Sequence, residues 1–420
     1  MRYAAPRGTQ DIWGAEALRW QAVEQTFRQV CACFGYQEIR TPMFEETELF
    51  ARSAGEETEL VTKQMYTFTD RGGRSITLRP EGTPSVVRAY IEHKLHGQGG
   101  VEKFCYHGPI FRYERPQKGR LRQHHQFGVE VLGAPGPEVD AEVIALASEF
   151  LARLGITDTQ PALNSMGCPE CRPRYREALR AALKPVLGEL CEYCQARYED
   201  NPLRILDDKN ERCVELTTRL APKITDYLCE ACQAHFQGLQ QALRELGIEY
   251  QLNHRIVRGM DYYTRTVFEM VHSQLGAQNA MVGGGRYDGL VEECGGPSTP
   301  ALGFGAGEER ILMVLGQAGW EPPKPERLVY LAMAGDDLRA SALRLAMALR
   351  RAGLAADLDH LGRSLRAQMR EAARVNARYA LILGEEEQQA GTVMLRDMDS
   401  GEQEQVPQSE VVARLTKKEG

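Results

Sequence analysis

The sequence predicts an α+β chain in three blocks: a β-rich domain opened by one helix, a helical segment set into it, and a small α/β domain. Three observations predict it. Short strand-like runs broken by Gly and Pro follow a single amphipathic helix. From about Asn164 to Asn253 helical charge patterns and clustered cysteines replace them, and strand signals return at Thr264. Beyond Trp320–Arg327, a linker by composition, apolar runs of strand length alternate with helical stretches.

The opening helix rests on Trp20, Val23, Phe27, Val30 and Phe34, which recur at spacings of three and four, and Gly35 ends it. Strands are expected at Tyr36–Arg40, Met65–Thr69 and Ser75–Arg79. A hairpin fits Lys103–Glu114 and Leu121–Leu132, joined by Arg115-Pro-Gln-Lys-Gly119, whose turn chemistry suits a longer, mobile connection. Asp140–Leu154 reads as a helix with Gly155 past its end. Core-like strands return at Thr264–Val271 and Ala280-Met-Val-Gly-Gly-Gly. The domains expected are 1–163 and 254–322 as two parts of one core, 164–253 as a Cys-rich helical insertion, and 327–420 as the α/β tail. In the tail, Leu328–Met333, Ala355–Leu358 and Tyr379–Leu383 read as strands. Its helices carry Arg339, Arg344, Arg350, Arg351, Arg363, Arg366, Arg370, Arg374 and Arg378, either solvated faces or a phosphate-contacting surface.

Composition bounds the function. With 43% apolar residues in 420, a sizeable core is expected. A mean hydropathy of -0.41 and no apolar run of about 18 residues argue against a membrane span. The start, Met1-Arg-Tyr-Ala-Ala-Pro-Arg-Gly8, has no secretory apolar stretch, so a cytoplasmic chain is expected. A net charge of -7 argues against coating nucleic acid by bulk charge and leaves room for a local basic face. Of 11 cysteines, seven (Cys168, Cys171, Cys191, Cys194, Cys213, Cys229 and Cys232) lie in the insertion. In a chain without a secretory signal such clustering points to metal or redox chemistry rather than a disulfide framework.

Two runs carry chemistry. In Gln126-Phe-Gly-Val-Glu130 strand alternation puts Gln126, Gly128 and Glu130 on one face and Phe127 and Val129 on the other. Gly128 leaves room above the polar face for a ligand. The run Arg258-Gly-Met-Asp-Tyr-Tyr-Thr-Arg-Thr-Val-Phe-Glu269 sets a cation, a carboxylate and two phenols ahead of an apolar strand that does not need them. A site for a phosphate and a small polar ring does need them.

That run resembles the signature of histidyl-tRNA synthetases. Phe111–Phe127 resembles motif 2 of class II aminoacyl-tRNA synthetases, and Ala301-Leu-Gly-Phe-Gly-Ala-Gly-Glu-Glu-Arg310 resembles motif 3. Thr41-Pro42 looks like motif 1, and Leu78-Arg-Pro-Glu-Gly-Thr83 like the family's amino-acid loop. Five motifs in order span nearly the whole chain. The resemblance implies a class II catalytic domain on an antiparallel sheet flanked by helices, and a C-terminal anticodon-binding domain. It also implies a homodimer whose interface takes in motif 1.

The implied roles have physical reasons. Carboxylate attack on phosphate brings two anions together, so Arg112 and Arg258 are implied at the α-phosphate and Arg310 at the γ-phosphate of ATP. No general base is implied, because the nucleophile is already ionised. Glu81, Gly82, Thr83 and Gln126 resemble the loop and strand that hold the α-ammonium of L-histidine. Glu130 and Tyr263 resemble the imidazole's partners, with Tyr262 and Asp261 shaping that wall. An imidazole offers one donor and one acceptor, which a carboxylate and a phenol match. Such a pocket leaves polar groups unpaired around an apolar analogue, so about 10⁴-fold discrimination is expected without editing. Gly283-Gly284-Gly285-Arg286-Tyr287 is similar to a segment that lets backbone approach the ligand. His124 departs from the family, which commonly has Phe there to stack on adenine; a neutral imidazole can also stack. Mg²⁺ is implied with the ATP, and tRNA-His as the acceptor.

Three Cys-x-x-Cys pairs, Cys168/Cys171, Cys191/Cys194 and Cys229/Cys232, lead us to expect one structural Zn²⁺ held by four of the six. Two thiols are then left over, or shared with Cys213. Free buried cysteines are the alternative. For function the alternative is a catalytically silent, histidine-binding regulatory subunit of ATP phosphoribosyltransferase, which resembles the same catalytic domain. Arg112, Arg258, Arg310 and the tail from Leu328 argue against it. Glu130 with Tyr262-Tyr263 argues against a class II synthetase for an apolar amino acid.

Overall fold

The computed structural model describes residues 3–55, 58–97, 99–116, 119–272, 280–324 and 327–419. Gln117 and Lys118 of the expected hairpin connection, and 325–326 of the linker, lie outside them. The described chain forms two compact units, Met1–Pro322 and Pro323–Gly420.

The strands of the first unit are β1 Gln37–Glu38, β2 Phe44–Glu46, β3 Tyr66–Thr69, β4 Ser75–Leu78, β5 Glu102–Phe111, β6 Gln123–Leu132, β7 Gln160–Ser165, β8 Gln251–Leu252, β9 Thr264–Val271, β10 Ala280–Arg286 and β11 Ala301–Gly307. Eight make one sheet in the order β1-β5-β6-β11-β10-β9-β7-β8, while β2, β4 and β3 form a small second sheet. The six central strands are antiparallel, and the short β1 and β8 join parallel at the edges.

One face of the sheet is apolar. Phe127, Val129 and Val131 point into a core built with the helices Ala15–Cys33, Pro137–Arg153, Glu230–Glu245 and Glu308–Gln317. The opening helix buries Trp20, Val23, Phe27 and Val30, the stripe its sequence predicts. The 164–253 segment is not a free-standing insertion: Phe236, Leu239 and Leu243 of its last helix sit in this core. His235 bonds Asp140 at 2.8 Å, and Asp140 also receives Arg286 Nε at 2.8 Å, all three buried.

The second unit holds β12 Val329–Met333, β13 Ala356–Leu358, β14 Tyr379–Leu383, β15 Thr392–Asp397 and β16 Gln403–Pro407 in the order β13-β12-β14-β15-β16. The first three are parallel and the last two antiparallel. The sequence reading stopped at β14. The hairpin β15–β16 is amphipathic, alternating buried with half-buried or exposed residues, so it lacks the continuous apolar run that marks a central strand.

Candidate active site

Strands β6, β11, β10 and β9 floor a cleft of about 370 Å³. Gln126, Gly128 and Glu130 share the face of β6 turned away from the core. Register sets Gly303 opposite Glu130, Gly305 opposite Gly128 and Gly307 opposite Gln126. Gly283 lies opposite both Gly305 and Glu269. The floor is glycine for a steric reason. A Cβ on Gly303 would lie 2.0 Å from Glu130 Oε2, one on Gly305 2.3 Å from Gln126 Nε2, and one on Gly283 2.5 Å from Arg258 Nη1. Long polar side chains lie flat across the floor because no Cβ stands in their way.

The expected residues come together around this floor. Glu81 and Thr83 stand at the start of the helix Thr83–Glu92, Arg112 just past β5, and Arg310 in the first turn of the helix after β11. Arg258, Tyr262 and Tyr263 come from the loop before β9, and His124 from β6. Gly82 lies behind the wall, where a Cβ would come within 2.3 Å of the Tyr106 ring, so its absence makes room for that ring. Asp261 departs from expectation. Its half-exposed carboxylate pairs with Arg204 at 3.2 Å outside the cleft lining. In the Gly-rich segment, Tyr287 faces the cleft and Arg286 points to Asp140 on the far side.

Hydrogen bonds join what the sequence reading kept apart. Thr83, expected at the ammonium, donates to Glu130 Oε1 at 2.7 Å. Glu130 also accepts from Tyr106 at 3.3 Å and from Tyr287. Tyr262 donates to Glu81 Oε2 at 3.0 Å, while Glu81 Oε1 is buried with no partner among the described residues. A buried acceptor left open in a polar cleft is a place for an incoming donor. Gln126 donates to Tyr106 at 3.3 Å. Tyr106 and Tyr287 thus belong to the network, and only strand pairing shows it: Tyr106 lies opposite Gly128, and Tyr287 follows the last paired residue of β10.

Burial sets the charges. It pushes the Glu130 carboxyl up to about 8, against the pull of its three hydroxyl donors. It raises Glu81 too, with Arg112, Tyr262 and Arg258 opposing. Burial, together with Arg112 and Arg310, pushes His124 down to about 3, so its ring is neutral. Of the arginines, Arg258 bonds Glu269 at 2.6 Å and lies 5.7 Å from the Tyr263 ring centre. Arg112 Nε donates to the Pro80 carbonyl and Arg310 Nη1 to that of Ala280, each at 2.7 Å. With Arg120, these put four guanidiniums on one cleft, which suits a polyanion, and a neutral ring among them suits a base.

The cysteines form two clusters rather than one. Cys168, Cys171, Cys229 and Cys232 converge, with Cys168 Sγ at 3.6 Å from Cys171 Sγ and 3.9 Å from Cys229 Sγ. A tetrahedral ion with bonds of about 2.3 Å would space its sulfurs by about 3.8 Å. Cys191 and Cys194 lie apart from these, with Cys213 and Asp208.

Comparison with known proteins follows this geometry. Residues 8–311 match the family model described as histidyl-tRNA synthetase, and 328–418 the one described as anticodon binding domain. The histidine–tRNA ligase of Desulforamulus reducens is 53% identical over 97% of each chain. That of Moorella thermoacetica is 52% identical over 98% of this chain and 97% of its own. The structure of apo histidyl-tRNA synthetase from S. aureus is similar with a TM-score of 0.82 at 38% identity, covering 98% of this chain and 99% of that one.

Proposed function

The chain belongs to the histidyl-tRNA synthetase family, and from that premise we propose how its cleft performs the reaction. As a histidine–tRNA ligase it activates L-histidine with ATP to histidyl-adenylate, releases pyrophosphate, and passes the histidyl group to the 3′ end of tRNA-His. The full-length identity to ligases favours this over the regulatory-subunit alternative.

The observation that carries the residue assignment is the convergence of Arg112, Arg258 and Arg310 on a cleft whose back wall is Glu81, Tyr262, Tyr263 and Tyr287, with the buried Glu130 bonded behind it to Thr83 and Tyr287. Glu81, with its open Oε1, and Gln126 receive the ammonium beside Thr83, which donates to Glu130, and Tyr106 ties Gln126 to Glu130. Glu130 and Tyr263 take the imidazole. Arg112 and Arg258 stand at the α-phosphate, Arg310 at the γ-phosphate, and His124 stacks on adenine as a neutral ring. The histidine carboxylate attacks phosphorus as the bond to pyrophosphate breaks. The arginines stabilise the charge that accumulates.

Hard oxygen donors suit Mg²⁺, and Glu114 and Glu309 of the cleft lining are the carboxylates on hand to hold the ion that accompanies ATP. The Cys168/Cys171/Cys229/Cys232 spacing fits a structural Zn²⁺. The domain division at 164, 254 and 327, a homodimer and a cytoplasmic location complete the reading. No helix among the described residues is long and apolar enough to cross a membrane.

Histidine-dependent ATP–pyrophosphate exchange without tRNA tests it. Exchange is expected with histidine alone among the amino acids, and Arg258→Ala should lower it by about 100-fold or more. Histidine binding without exchange would return the chain to the regulatory reading.

A further inference from the structure

We propose that Cys191, Cys194, Asp208 and Cys213 form a second metal site, for Zn²⁺ or a similar thiophilic divalent cation, and that this ion braces the loop carrying Arg258. Four ligand atoms from three separate stretches of chain lie within 4.8 Å of one another. Cys194 and Cys213 are fully buried. Cys191 and Cys194 flank the first turn of the helix Glu192–Arg197, and Cys213 sits in the first turn of Glu211–Leu220. The Cys191 N–H donates to Cys213 Sγ at 3.2 Å. The Cys168 cluster is built the same way, with the Cys229 N–H donating to Cys171 Sγ at 3.1 Å. Backbone donors aimed at sulfur stabilise thiolates, the form that binds metal.

Asp208 supplies the fourth ligand, which spacing alone could not reveal. Its Oδ2 lies 2.9 Å from Cys191 Sγ and 2.8 Å from Cys194 Sγ. Its Oδ1 accepts from the Asn210 N–H at 3.2 Å, which fixes the carboxylate plane. Zinc bonds of about 2.3 Å to sulfur and 2.0 Å to oxygen require sulfur and oxygen about 3.5 Å apart, so the ligands must open by about 0.6 Å. Binding displaces three thiol protons and leaves an anionic centre, as three thiolates and a carboxylate outweigh the divalent charge. Arg255 stands beside it, donating to the carbonyls of Leu206 and Asp208 at 3.0 Å, with its Nε buried and unpartnered among the described residues.

The site's position gives it a task. The stretch between Cys194 and Asp208 includes Arg204, which donates to the Arg258 carbonyl at 3.0 Å and the Gly259 carbonyl at 2.6 Å. Asp207 and Lys209, either side of the ligand Asp208, line the cleft. An ion at Asp208 therefore holds the support on which the Arg258 loop rests, a distant brace that sets ligand geometry.

Zinc content by mass spectrometry of the full-length protein, purified from zinc-replete cells, tests the site. Wild type should hold one equivalent more than Asp208→Ala or Cys213→Ser, and Asp208→Cys should keep that equivalent. Because a buried variant can fail to fold, Cys171→Ser supplies a second measurement: with the other cluster broken, it should still bind one Co²⁺ and show a tetrahedral thiolate spectrum. Unchanged zinc in both Asp208→Ala and Cys213→Ser, or no cobalt bound by folded Cys171→Ser, would overturn the site. The bracing role rests on the active-site reading above and has its own readout. Asp208→Ala should lose at least about tenfold in exchange kcat/KM, recovered in Asp208→Cys. Zinc loss with unaltered exchange would remove the brace and leave the metal site standing.

Discussion

Burial pushes the Glu130 carboxyl up to about 8, which favours its protonated form at neutral pH in the free enzyme. An imidazole N–H bonds a carboxylate more strongly than a carboxylic acid, so in the proposed contact bound histidine pulls that value down and expels the proton. The sign follows: a group that loses affinity for protons on binding releases one at pH below its free-state value, and binding strengthens as pH rises toward it. Titration calorimetry at pH 7 in buffers of different ionisation enthalpy should show release of about one proton per histidine in wild type and far less in Glu130→Gln. Equal release in both would place the imidazole elsewhere. His124, held at about 3, has no titration above pH 5 to confuse the measurement.

Among the elements, the glycine strands set the site's precision. Gly303→Ala would drive a methyl to 2.0 Å from Glu130 Oε2 and 2.2 Å from the Val129 carbonyl, so the Glu130 side chain and the strand must both shift. The expected outcome is a folded protein with exchange kcat/KM reduced by about 100-fold or more, since a displacement of about 1 Å in a positioning group suffices. Near-wild-type exchange would show that Glu130 can shift without cost. The alternation Gln126-Phe-Gly-Val-Glu130 was readable because period-two patterning decides faces locally. Arg112 and Glu114 were read as strand, but pairing ends at Phe111 and the chain turns toward the cleft. Asp208 was missed because an acidic residue in a polar stretch carries no periodic signal, and only the folding of three segments onto one point gives it thiol partners.

Across the whole molecule, the basic tail is expected to act on tRNA alone. Several of its arginines are spoken for within their own unit: Arg339 by Asp336, Arg363 by Asp359 and Glu371, Arg374 by Glu371, Arg378 by Asp397. Arg366 and Arg370, exposed and one turn apart on the helix Leu365–Arg374, show no acidic partner among the described residues. The double substitution Arg366→Ala/Arg370→Ala should raise the KM for tRNA-His by about tenfold and flatten its salt dependence, as two lost phosphate contacts imply. Pyrophosphate exchange should be unchanged. A loss of exchange would mean these arginines act on the catalytic unit and not on the nucleic acid. What the sequence by itself determined is the set of local features: helix stripe, strand alternation, turn glycines, and the ordered motifs by which the chain resembles its family. These depend on neighbours along the chain. Only the tertiary structure decided which polar groups share a proton or a ligand. Thr83 with Glu130, Tyr262 with Glu81 and Asp208 with three cysteines are meetings set by strand register and helix packing, between residues from 5 to 181 positions apart.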